Sequence, residues 1–160
     1  MRIIEGSRSA AGLSFAVVVA KYNDFVTDRL QKGALAALAH LGVRDDDVTI
    51  VKVPGAFEIP TAARLAAATK SFNGIVCLGC LIKGATPHFE YISSAVAHGL
   101  TAAAGDTHVP MAFGVLTVNS AEEALERAVD GPSNKGWEAA QATVEMALLA
   151  AELAAGAHAT

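Results

Sequence analysis

Two short strings hold most of the residues able to do chemistry. In KGATPHFEY, residues 83–91, His88 follows a glycine, a threonine and a proline. An imidazole has an unperturbed pKa of about 6.5 and so exchanges a proton near neutrality. Thr86-Pro87 reads as an N-cap followed by proline at the first helical position. A helix start reached through Gly84 and Ala85, with a threonine hydroxyl beside it, suits a phosphate through exposed N–H groups and the helix dipole. The same string also reads as a well-capped helix with no ligand, and His88 as an exposed or structural histidine. The glycine–lysine spacing of a Walker loop is absent.

The second string, PGAFEIP at residues 54–60, sets Glu58 in a stiff loop between two prolines. Its carboxylate can accept hydrogen bonds from the hydroxyls of a polyol, or it can merely complement a helix N-terminus. Tyr22 offers an aromatic face to a planar ring, or is an ordinary rim tyrosine. Arg127 and Lys135 flank the loop VDGPSN. An arginine can grip phosphate through two parallel hydrogen bonds, which a lysine cannot imitate; surface charge is the alternative for both. His40, His98, His108 and His158 show no spacing that gathers ligands, so the expected metal set is none.

These residues need elements to hold them. Four apolar runs rich in Val and Ile, at residues 14–20, 48–53, 74–81 and 110–118, predict strands covered on both faces. Leu30, Ala34, Leu38 and Leu41 follow helical spacing before a stop at Gly42, and Phe89, Ile92, Val96 and Leu100 repeat it. An Ala-rich helix is expected over 60–69, a capping box of Ser120 with Glu123 opens another, and a last helix covers about 136–155. The order is βαβαβαβα, an α/β sandwich with a parallel sheet, and residues 1–5 could add a short strand. In such a sheet ligands gather beyond the carboxyl ends of the strands, where KYND, PGAFEIP, IKGATPHFEY and VNSAEE lie.

Composition narrows the class. The chain of 160 residues is read as a single domain, 1–160, with an N-terminal arm over about 1–12. A hydrophobic fraction of 52%, much of it alanine, favours surface buried between subunits. The net charge of -4 is scattered, which disfavours nucleic acid as a partner. No signal-like or membrane-spanning stretch is read in the sequence, so no membrane partner is expected and the expected location is cytoplasmic. Cys77 and Cys80 sit three apart on a strand and should point to opposite faces, as two reduced structural thiols rather than a redox or zinc pair.

In order along the chain, GAFEIP, GATPHFEY, FGVLT, ER and NKG resemble the 6,7-dimethyl-8-ribityllumazine synthase family over residues 15–147. The resemblance implies a flavodoxin-like three-layer α/β/α sandwich with a four-stranded parallel sheet and a short N-terminal strand added to a neighbouring subunit. It implies a cofactor-independent transferase in the penultimate step of riboflavin biosynthesis. That enzyme condenses 5-amino-6-(D-ribitylamino)uracil with 3,4-dihydroxy-2-butanone 4-phosphate, releasing phosphate and water. By position, Tyr22 and Asn23 would meet the pyrimidine, Ala56, Phe57 and Glu58 the ribityl chain, and Cys80, Leu81 and Ile82 the pyrimidine through backbone groups. Gly84, Ala85, Thr86 and Arg127 would hold phosphate, His88 would transfer protons, Phe113 would close the ring site, and Lys135 would be an auxiliary contact. The resemblance further implies a homo-oligomer, a pentamer or an icosahedral shell of pentamers, with riboflavin synthase as a partner.

Two positions depart from the family pattern: Tyr22 stands where Phe or Trp is common, and Lys83 where Arg is common. The alternative reading is a non-catalytic relative that binds a flavin or lumazine or serves as a shell protein. A flavodoxin carrying FMN is disfavoured because KYND lacks the hydroxyl residues and glycines that would cradle its phosphate.

Overall fold

A computed structural model describes residues 1–6 and 9–157; His158 lies outside the described residues. Four strands form one parallel sheet: β1 (Phe15–Ala20), β2 (Val48–Val53), β3 (Gly74–Ile82) and β4 (Met111–Val118), in the order β2-β1-β3-β4. Among the described residues five α-helices join or follow them: α1 (Asp24–His40), α2 (Ile59–Ala68), α3 (His88–Thr107), α4 (Ala121–Glu126) and α5 (Lys135–Ala157). This is the expected flavodoxin-like sandwich.

Strand alternation builds two cores from one sheet. On one face Phe15, Val17 and Val19 of β1 and Val76, Leu78 and Cys80 of β3 pack with Leu30 and Leu38 of α1 and Ala140 and Val144 of α5. On the other, Ala16, Val18, Ile75 and Cys77 pack with Ile59 and Ala63 of α2 and Val96 and Leu100 of α3. Cys77 and Cys80 thus lie on opposite sides of the sheet, as their spacing requires, and both are free thiols. Burial pushes the Cys77 thiol up to about 12 and the Cys80 thiol up to about 11, since the interior disfavours the thiolate.

Three expectations need correcting. The run in β2 is not covered on both faces: it is an edge strand, with Thr49, Ile50 and Lys52 exposed. Thr86 does not cap α3; Pro87, with φ -71 and ψ 6, occupies the cap position, His88 opens the helix, and no side chain caps it. Proline has a fixed φ that fits either place, so composition alone misassigned the boundary by one residue. The capping box of α4 is displaced: the Glu123 N–H donates to Ser120 Oγ at 3.1 Å, but the Glu123 carboxylate accepts from the Asn119 N–H at 2.9 Å rather than from the cap residue. Residues 1–6, expected to hold a strand added to a neighbouring subunit, carry no regular secondary structure and find no ladder partner among the described residues.

Candidate active site

The loops after β1, β2 and β3 are stitched together before any ligand arrives. The Lys21 N–H donates to the Val53 carbonyl at 2.8 Å, and the Tyr22 N–H to the Pro54 carbonyl at 3.0 Å. Asn23 has φ 61 and ψ 44, a left-handed conformation that asparagine tolerates better than most residues. From there its Nδ2 donates to the Cys80 carbonyl at 2.8 Å, while its own carbonyl accepts from the Val26 and Thr27 N–H groups in the first turn of α1. Asn23 is therefore a strut between the first loop and the end of β3 as well as a wall of the cavity.

Beyond these strand ends opens a cavity of about 810 Å³. Tyr22, Asn23, Ala56, Phe57, Glu58, Leu81, Ile82, Gly84, Thr86 and His88 line it, all of them expected from the sequence. Cys80 is not in the wall; its side chain belongs to the core and its carbonyl receives Asn23. Ala85 stands exposed between two lining residues without lining the cavity itself. Sequence reasoning missed Pro54, Gly55, Phe89, Tyr91 and Ile92, which also line it. Pro54 and Gly55 belong to the PGAFEIP string, where Glu58 draws the attention. Helical spacing at Phe89 and Ile92 marks a helix face without saying what that face meets, and Tyr91, 74% exposed, is the end of the same string.

Glu58 is the residue before α2 yet its carboxylate caps nothing and has no protein partner among the described residues, which leaves its acceptors for a ligand. His88 is exposed in the first turn of α3 and likewise makes no protein hydrogen bond. Lys83 pairs with Glu90 at 3.7 Å across the neck of the loop, an exposed pair of small energetic weight.

Phe113, Arg127 and Lys135 are elsewhere. They line a separate recess of about 440 Å³ along β4 and the start of α5, so the chain does not bring them to His88. Arg127 follows α4 and its Nη1 donates to the Glu123 carbonyl at 2.9 Å; Lys135 opens α5 and pairs with Glu138 at 2.8 Å. Phe113, 46% exposed, stands on the outer side of the sheet's β4 edge. The expected set is therefore divided between two separate recesses.

The model of one family, 6,7-dimethyl-8-ribityllumazine synthase, matches residues 12–151. The chain belongs to that family. A 6,7-dimethyl-8-ribityllumazine synthase of Syntrophus aciditrophicus (strain SB) is 46% identical over 144 residues, covering 90% of this chain and 94% of that protein. The matched region contains both halves of the site and every strand that positions them. Among the described residues no helix is long and apolar enough to cross a membrane, and no group of three or more His, Cys, Asp or Glu could hold a metal ion.

Proposed function

We propose that the chain is a transferase of riboflavin biosynthesis whose catalytic site is shared between neighbouring copies. In it, 5-amino-6-(D-ribitylamino)uracil condenses with 3,4-dihydroxy-2-butanone 4-phosphate, with release of phosphate and water. The observation that carries the proposal is the split itself. One recess offers an aromatic face, a free carboxylate and a histidine, and the other offers an aromatic ring and an arginine. Neither is sufficient, and a head-to-tail ring contact brings one of each together at every junction.

In that joint site the ring of Tyr22 stacks on the pyrimidine and Phe113 of the next copy closes over it. Glu58 accepts hydrogen bonds from the ribityl hydroxyls, beside Ala56 and Phe57, and backbone groups of Leu81 and Ile82 meet the pyrimidine edge, with Cys80 behind them holding Asn23. The phosphate lies between Gly84, Ala85 and Thr86, at the uncapped first turn of α3, and Arg127 of the neighbour, with Lys135 an auxiliary contact to the pyrimidine substrate. His88, one residue past that turn's cap, moves the protons that imine formation, phosphate elimination and ring closure each require. Holding two substrates in register supplies much of the acceleration, so no cofactor enters the scheme.

What one chain leaves uncovered supports an assembly. Tyr22, Phe57 and Tyr91 are 72%, 61% and 74% exposed, and twenty-residue α3 buries only Val96, Leu100 and Ala103. Large exposed apolar surface of this kind favours subunit contacts. The reading is a pentamer of single-domain chains, joined into a shell because VDGPSN is short, with residues 1–5 pairing to the open edge of a neighbour's β2. It includes a cytoplasmic location and riboflavin synthase as the consumer of the product.

The test is direct. Purified protein, exhaustively chelated, is mixed with both substrates and the fluorescence of a lumazine is followed. Product formation is expected; no product, or activity restored only by added metal, contradicts the reading.

A further inference from the structure

Between the two cations of the second recess sits a residue that the proposed chemistry does not use. Asn134 is fully buried, one of three buried polar side chains among the described residues. Its Oδ1 accepts from the Gly136 N–H at 2.7 Å and the Trp137 N–H at 3.3 Å; its Nδ2 donates to the Val129 carbonyl at 3.0 Å and the Arg29 carbonyl at 3.2 Å. An amide has two donors and an acceptor oxygen with two lone pairs, so this one is fully engaged and admits a single orientation. The first two bonds cap α5. Of the other two, the bond to the Val129 carbonyl braces the loop between α4 and α5 internally, and the bond to the Arg29 carbonyl ties that loop to the backbone of α1.

Capping does not explain the asparagine. Serine or aspartate would cap as well, but neither could donate to two carbonyls: serine is too short, and aspartate would turn an acceptor toward acceptors. Two glycines make room for the contact. A Cβ on Gly33 would run into the Asn134 side chain, and one on Gly136 into the Leu30 carbonyl. Beside it the Lys135 N–H donates to the Arg127 carbonyl at 2.9 Å, closing the backbone that carries both cations into a ring. That ring is anchored to α1 by one buried amide and, at the surface, by the exposed Lys32–Asp130 pair at 2.9 Å.

We infer that Asn134 is the positioning residue of the phosphate half-site, holding the Arg127 guanidinium where the phosphate arrives. The inference rests on the reading of Arg127 as a phosphate contact. Without the two donors the loop loses its internal brace and its buried tie to α1, keeping only the exposed Lys32–Asp130 pair, while α5 stays capped and the backbone that carries Arg127 loosens.

Asn134→Ser and Asn134→Asp both keep the cap and remove the donors. With each substrate varied in turn, KM for the phosphate substrate should rise about tenfold in both, with KM for the pyrimidine and kcat little changed. Combining Asn134→Ser with Arg127→Ala should weaken the phosphate substrate no further than Arg127→Ala alone. If Arg127→Ala raises that KM and the Asn134 variants lower only the melting temperature, or if the losses add in the double variant, Asn134 has no positioning role although the phosphate reading stands. If Arg127→Ala leaves that KM unchanged, the phosphate reading fails and the inference falls with it. Should the Asn134 variants not fold, Gly33→Ala displaces the same amide from the α1 side and must give the same selective rise in KM; a normal KM there overturns the inference.

Discussion

Replacing Asn23 by alanine and by glycine separates the two things this residue does. Its φ of 61 and ψ of 44 lie in the left-handed region, where a residue with a Cβ ordinarily pays about 1–2 kcal/mol, less for asparagine. Its 2.8 Å bond to the Cys80 carbonyl contributes a further ~1 kcal/mol net. Asn23→Ala loses the bond and the tolerance together, about 2 kcal/mol. Asn23→Gly loses the bond and relaxes the backbone, but gains unfolded-state freedom of about 0.4–1 kcal/mol, leaving a net loss of about 1 kcal/mol. For a chain of this length 1 kcal/mol shifts Tm by about 2–4 °C, so alanine should melt about 4–8 °C and glycine about 2–4 °C below the parent. Circular dichroism at a fixed chain concentration gives the comparison, because assembly makes Tm depend on concentration. An alanine variant as stable as the glycine variant would refute the backbone argument, and two unperturbed variants would refute the strut altogether.

His88→Ala should lower kcat by about 10²-fold or more without abolishing turnover, since buffer and water partly replace a general acid–base; an unchanged kcat would remove His88 from the mechanism. With thiols raised to about 12 and about 11, Cys77 and Cys80 are protonated at neutral pH, so the native protein should resist iodoacetamide that labels the denatured chain; rapid native labelling would contradict their burial. The sign for stability follows. Above the ordinary thiol value of 9.0 the unfolded chain sheds a proton that folded Cys77 keeps until about 12, so stability should decline across that window and Cys77→Ala should lessen the decline in alkaline urea melts.

The sheet was legible because β1 and β3 are apolar on both faces and need no context to be recognised. Edge position was not: Val48, Ile50 and Val51 carry the same β-branched signal as a central strand, and only topology shows that solvent reaches Thr49 and Ile50. In the site, Glu58 and His88 stood out because charge and imidazole at strand ends are informative in themselves. Phe89 and Ile92 did not, because a step of three on a helix looks the same whether the face meets a core or a cavity. Asn134 could have been found as a cap from its place before Lys135, but its bond to Arg29 joins residues 105 apart in the chain and leaves no local trace. Nor does spacing show that Arg127 and His88 line different recesses; that separation is a property of the folded sheet.

The shared site is tested most directly by complementation between two dead halves. A His88→Ala, Glu58→Ala double variant is co-expressed with an Arg127→Ala variant, each nearly inactive alone, and mixed assemblies are verified by mass. In a head-to-tail ring with equal, random mixing, about a quarter of the junctions join an intact first half to an intact second half. Activity should rise toward that fraction of the parent protein. Verified mixed rings that stay as inactive as their components would show that both halves of the site come from one chain.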